Sequence, residues 1–120
     1  MSSASDLVRW AQELRDSELL SPEMKREAFT YYPPREARNG RNQYLQGISR
    51  TEDYYDGQAR LGHGGGTLGF SAGMYWLEDT DVVVVVLTNV GAMHSGLMMS
   101  PTGTFISQLW FPTVMRYLGR

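Results

Sequence analysis

A chain of 120 residues, 42% hydrophobic and 20% charged, is sized for one globular domain with a single core and little surplus. Its net charge of −2 gives no basic footprint for nucleic acid or an anionic membrane, so neither is expected as a partner. The absence of cysteine excludes disulfides and thiolate metal sites and leaves the compartment open.

The first residues, Met1-Ser-Ser-Ala-Ser-Asp6, contain no basic region followed by an apolar run, and no stretch has the length of a membrane span. A cytoplasmic location is the default expectation. Ser3 and Asp6 have the spacing of a capping box, and Leu7, Trp10, Ala11 and Leu14 recur at helical intervals. Residues 4–16 therefore predict an amphipathic helix with Trp10 on its buried face. Ser21-Pro22-Glu23 marks a second, short helix, because a serine caps well and proline suits the first helical position. It should end before Tyr31-Tyr32-Pro33-Pro34, so residues 1–29 are helical and 30–43 form a polar connector. Arg35, Arg38 and Arg41, spread among Pro, Asn and Gly, read as a solvated loop.

From Tyr44 the period changes to that of an antiparallel sheet over residues 44–89. Tyr44 to Arg50, Gln58 to His63 and Phe70 to Leu77 are predicted strands, with Thr51 to Gly57 an acidic turn. Val82 to Asn89 holds five valines in a row, which show no polar face and predict a strand buried on both sides. Residues 90–103, rich in Gly, Ser and Met, predict a loop. Phe105, Ile106, Leu109, Trp110, Val114 and Leu118 predict a closing helix over 104–120, kinked at Pro112. The expected fold is α+β: an antiparallel meander of three to four strands packed against N-terminal and C-terminal helices.

The unusual chemistry lies in Leu61-Gly62-His63-Gly64-Gly65-Gly66-Thr67-Leu68-Gly69-Phe70. So many glycines permit positive φ and close approach of a ligand to backbone N–H groups, although a flexible hairpin turn would also use them. His63-Gly-Gly-Gly66 and Gly69-Phe-Ser71-Ala-Gly73 match two lipase-type motifs. Their spacing opposes a nucleophile elbow at Ser71, because the elbow joins a strand to a helix and Ser71 enters a strand that leads to a hairpin. His63 and His94 are the only histidines and have no metal-ligand spacing, so no metal is expected.

Ser3 to Trp10, then Gly62 to Ser71, then the hairpin into Val-Val-Val-Leu87-Thr88-Asn89 together resemble the C-terminal part of the serine β-lactamase and penicillin-binding-protein superfamily. The resemblance is strongest to its class C, esterase and D-aminopeptidase branch and covers nearly the whole chain. It implies a partial β-lactamase-like fold and no cofactor. In that family a Lys-Thr-Gly or His-x-Gly triplet sits on a strand beside the active site, and His63-Gly64-Gly65 is similar to it. His63 would then face a substrate carboxylate or ester, Gly64 and Gly65 would leave space, and the Gly66 N–H would be an oxyanion donor.

The departures are as informative. The family's S-x-x-K is absent: the single lysine, Lys25, has Pro22 three residues before it, with Ser21 one position too far. No tyrosine begins Y-x-N or Y-x-S. The sequence is thus expected to be a C-terminal fragment or a truncated reading frame, a single partial domain, catalytically silent alone. Two alternatives stand beside that reading: half of a split hydrolase completed by an N-terminal fragment from another chain, or a self-sufficient esterase using Ser71. The family pairs the valine-rich strand on both edges, one partner lying before this chain begins. Exposed apolar edges recruit strands, so a homo-oligomer, a dimer paired through Val82 to Leu87 or a neighbouring edge, is expected.

Overall fold

A computed structural model of the protein describes residues 1–16, 18–30, 42–52, 59–67, 69–89, 93–94, 97–98, 113, 116–117 and 119. The chain divides into two compact units, Met1–His63 with Met74–Val85, and Gly64–Gly73 with Val86–Arg120. The described elements bear out an α+β architecture with an antiparallel meander.

Helix α1 spans Ala4–Asp16 and opens on the capping box the sequence predicts. The Ser3 N–H and hydroxyl both donate to Asp6 Oδ2 at 2.8 Å, and the Asp6 N–H donates back to Ser3 Oγ at 3.2 Å. These bonds engage backbone groups that a helix start leaves without intrahelical partners. Ala11 is fully buried, with Leu7 and Leu14 half-buried beside it. Trp10 departs from expectation: it is 48% exposed. The small side chain of Ala11 marks where the helix meets the core, and the bulky indole one position earlier falls at the margin of that stripe.

Helix α2 spans Pro22–Ala28, with Pro22 in the first turn and the Ser21 Oγ accepting from the Met24 N–H at 3.2 Å. None of its residues is buried. Its end delivers Phe29 edge-on to Trp76, centroids 6.3 Å apart. Ala11, Leu45, Ile48, Leu61 and Trp76 form the core of this first unit, with Leu14, Phe29, Met74 and Val83 packed against it. Each large side chain removed from water there contributes about 1.5–3 kcal/mol.

Five strands follow: β1 (Asn42–Tyr44), β2 (Ser49–Glu52), β3 (Ala59–Gly66), β4 (Ser71–Leu77) and β5 (Val83–Thr88), hydrogen-bonded in sequence order. This is more than the three to four strands expected. The predicted single strand from Tyr44 to Arg50 is broken at Gln46-Gly47, where Gly47 has φ +84° and the Leu45 N–H donates to the Ile48 carbonyl at 2.8 Å. Glycine takes that conformation without a Cβ clash, so the chain reverses and makes two short strands of one. Strand β1 also begins within the predicted connector, most of which, with the three arginines, lies outside the described residues.

A short turn joins β4 to β5, with the Leu77 N–H donating to the Val82 carbonyl at 3.1 Å. The expectation that the valine strand is buried on both sides is corrected. Val83 to Val86 are half-buried and Leu87 is 45% exposed. β5 is last in the strand order, with β4 as its only neighbour among the described residues, and an edge position leaves a strand partly accessible.

In the second unit, the Thr67 N–H donates to the Phe70 carbonyl at 2.8 Å and closes the turn from β3 to β4. Strands β6 (Met93–His94) and β7 (Leu97–Met98) pair antiparallel where the sequence predicts only loop. Most of the predicted 104–120 helix, including Pro112, lies outside the described residues. Thr113, Arg116 and Tyr117 are helical, and Gly119, at φ +72°, donates its N–H to the Arg116 carbonyl. No described helix is long and apolar enough to cross a membrane.

Candidate functional site

The glycine-rich segment is strand rather than turn as far as Gly66, and β3 is the longest strand of the sheet. Its register on β2 pairs Glu52 with Ala59, Thr51 with Arg60, Arg50 with Leu61 and Ser49 with Gly62. The Ser49 hydroxyl adds a bond to the Gly62 carbonyl at 2.9 Å. Gly62 is buried, with φ +153°, and a Cβ there would overlap the Met74 carbonyl oxygen. A glycine at this position is therefore required by the close approach of β4 to β3.

His63 follows directly and is exposed. Its Nε2 lies 3.1 Å from the Tyr44 hydroxyl, and the two rings meet edge to face, centroids 5.8 Å apart at 81°. The sheet register explains how they meet: Tyr44 opposes Ser49 on β2, and Ser49 opposes Gly62 on β3. Tyr44 belongs to no motif and was not singled out by sequence reasoning. Nothing local could have found it, because the pair is separated by 19 residues and depends on both strand registers.

In the second unit, Gly64 is half-buried and Gly65 and Gly66 are exposed at the end of β3. A Cβ at Gly65 would meet nothing within 4 Å, and one at Gly66 only ordinary contacts at 3.8 Å, with the Phe70 carbonyl and Ser71 Cβ. Unlike Gly62, neither glycine is demanded by the packing of its described neighbours. Both border an apolar groove of about 420 Å³, completed by Thr67, Phe70, Ser71, Ala72, Leu87 and Thr88. Phe70 and Leu87 line it while 65% and 45% exposed. Ser71 is only 4% exposed and is the first residue of a strand that continues to Leu77. It does not sit on the strand-to-helix turn that lifts a serine nucleophile above a sheet.

The sole lysine offers no substitute. Lys25 is on α2, and the nearest serine before it, Ser21, uses its hydroxyl to cap that helix. Tyr75 on β4 is half-buried, and burial pushes its phenol up while the Arg60 guanidinium, 5.6 Å from the ring centroid, opposes the shift. Tyr31, Tyr32, Tyr54 and Tyr55 lie outside the described residues. His94 is on β6. Among the described residues, no three His, Cys, Asp or Glu side chains are grouped so as to hold a metal.

No family model, curated protein or solved structure matches this chain.

Proposed function

We propose that the chain is β-lactamase-like and carries one wall of a serine-hydrolase active site, catalytically silent alone. His63, Gly64, Gly65 and Gly66 are that wall, with the Gly66 N–H as an oxyanion donor. The observation that carries the reading is the course of β3, which runs through His63 and all three following glycines instead of turning at them. The open space around Gly65 agrees with a strand edge left clear for a ligand. A wall that binds a carbonyl or carboxylate without a nucleophile forms no acyl-enzyme.

The test mixes the purified chain with a chromogenic ester, a β-lactam and a serine-directed fluorophosphonate, and separately titrates it with phenylacetate while following backbone amides. The expected result is no turnover and no labelling, with the Gly66 amide signal moving on carboxylate addition. Stoichiometric labelling, or an amide that ignores carboxylate, overturns the reading. Turnover only after an S-x-x-K fragment is added would identify half of a split enzyme. The self-sufficient esterase draws little support, since Ser71 is 4% exposed on a strand.

Self-association is part of the same proposal. The occupant inferred for the outer edge of β5 is β5 of a second copy, because among the described residues no strand pairs beyond β5 and its run of valines, ending at an exposed Leu87, carries no charge to deter pairing.

A further inference from the structure

We propose that Tyr44 is the positioning residue of His63: its hydroxyl donates to Nε2, holding the imidazole in one orientation with the proton on Nδ1. The inference deepens the proposed function, on which it rests for the ligand that His63 faces.

Three observations carry it. The hydroxyl and Nε2 are 3.1 Å apart, within hydrogen-bond range, and the rings also touch edge to face. Neutral imidazole has one donor and one acceptor nitrogen, so a donor fixed at Nε2 selects the tautomer and with it the hydrogen-bonding character the ring presents. A phenol is the stronger donor of the two, which sets the direction.

The backbone beneath is held firmly. Tyr44, Ser49 and Gly62 oppose one another across three paired strands, the Ser49 hydroxyl ties down the Gly62 carbonyl, and the Met74 carbonyl leaves residue 62 no room for a side chain. His63 therefore departs from a fixed point. Burial does not account for the pair, since Tyr44 is 53% exposed and His63 is exposed as well. Holding two exposed side chains together costs rotamer freedom, which the orientation of His63 would justify.

The test uses ¹⁵N spectra of the untagged full chain carrying His94→Asn, so that every imidazole signal belongs to His63. At about pH 8.5 the expected spectrum shows the proton on Nδ1. Tyr44→Phe keeps the ring contact and removes the hydroxyl, and should move the proton towards Nε2, the tautomer that free histidine favours. Tyr44→Leu should do the same. A parent spectrum with the proton on Nε2 overturns the proposal even if the variants fail to fold. So does a Phe variant identical to the parent, or a change seen only with Leu, which would mark a packing role. Phenylacetate titration of the same samples should show about tenfold weaker binding in the Phe variant, the equivalent of one hydrogen bond. A parent that ignores phenylacetate removes the ligand role of His63, while the tautomer result still decides the role of Tyr44.

Discussion

The Met74 carbonyl oxygen occupies the place that a Cβ of residue 62 would need, and Gly62 has φ +153°. Gly62 and Gly65 thus belong to one glycine-rich strand for different reasons. Gly62→Ala must either push β4 away or distort β3, and is expected to cost roughly 2–4 kcal/mol, as steric strain at a special backbone position does. Gly65→Ala meets nothing within 4 Å and should change stability by no more than about 0.5 kcal/mol. Urea unfolding of both variants checks the contrast; equal losses would refute it.

Arg50 on β2 ties the sheet to the turn after β4. Its Nε and Nη2 bond Glu78 at 3.0 and 2.6 Å, and its Nη1 bonds Glu52 at 2.8 Å. Arg50 is 19% exposed and Glu78 36%, so solvent screens part of the attraction. A double-mutant cycle of Arg50→Ala and Glu78→Ala should give a coupling of about 0.5–1 kcal/mol that falls with added salt. Arg50→Lys should not restore it, because one ammonium cannot reproduce the two-pronged geometry. Full rescue by lysine would reduce the contact to a point-charge effect.

The parts of this fold that were legible in the sequence are those set by local chemistry. The Ser3–Asp6 box and the Ser21-Pro22 start placed both helices, because caps act over three residues. The β-branched run placed β5. Its degree of burial was not legible, since that depends on where the strand falls in the sheet order, and five valines read the same at an edge or in the middle. The break between β1 and β2 was signalled only by Gly47, which the hydrophobic run around it masked. Trp10 shows the same limit on a helix: its spacing fits the buried stripe, but the core closes on Ala11. At the site, His63 and its glycines were legible as a cluster, whereas Tyr44 arrives through two strand registers that no single stretch encodes.

The capping box has a pH signature. The Ser3 N–H first, and the Ser3 hydroxyl second, hold the Asp6 carboxyl below the ordinary value of 3.8. A carboxylate depressed in the folded state contributes stability above its unfolded pKa of about 3.9 and loses it as pH falls through the lower folded value. The first turn of α1 is therefore expected to loosen below about pH 4, seen as a shift of the Ser3 amide proton and a small loss of helical circular dichroism. Asp6→Asn should flatten the response across that window. A Ser3 amide that moves equally in the variant would assign the change to another group.

Assembly can be separated from folding on β5. Leu87 is 45% exposed and Val84 half-buried, so lysine at the two positions should act differently. Leu87→Lys places a charge where a second strand would dock, yet it can reach water, and is expected to leave circular dichroism unchanged while light scattering falls from dimer to monomer. Val84→Lys removes apolar packing and brings an ammonium against the core layer, so it should weaken folding by about 2 kcal/mol or more as well as assembly. A parent chain that is monomeric at micromolar concentration removes the edge-pairing proposal outright. If Leu87→Lys dimerises as tightly as the parent, the copies meet through some surface other than this end of β5.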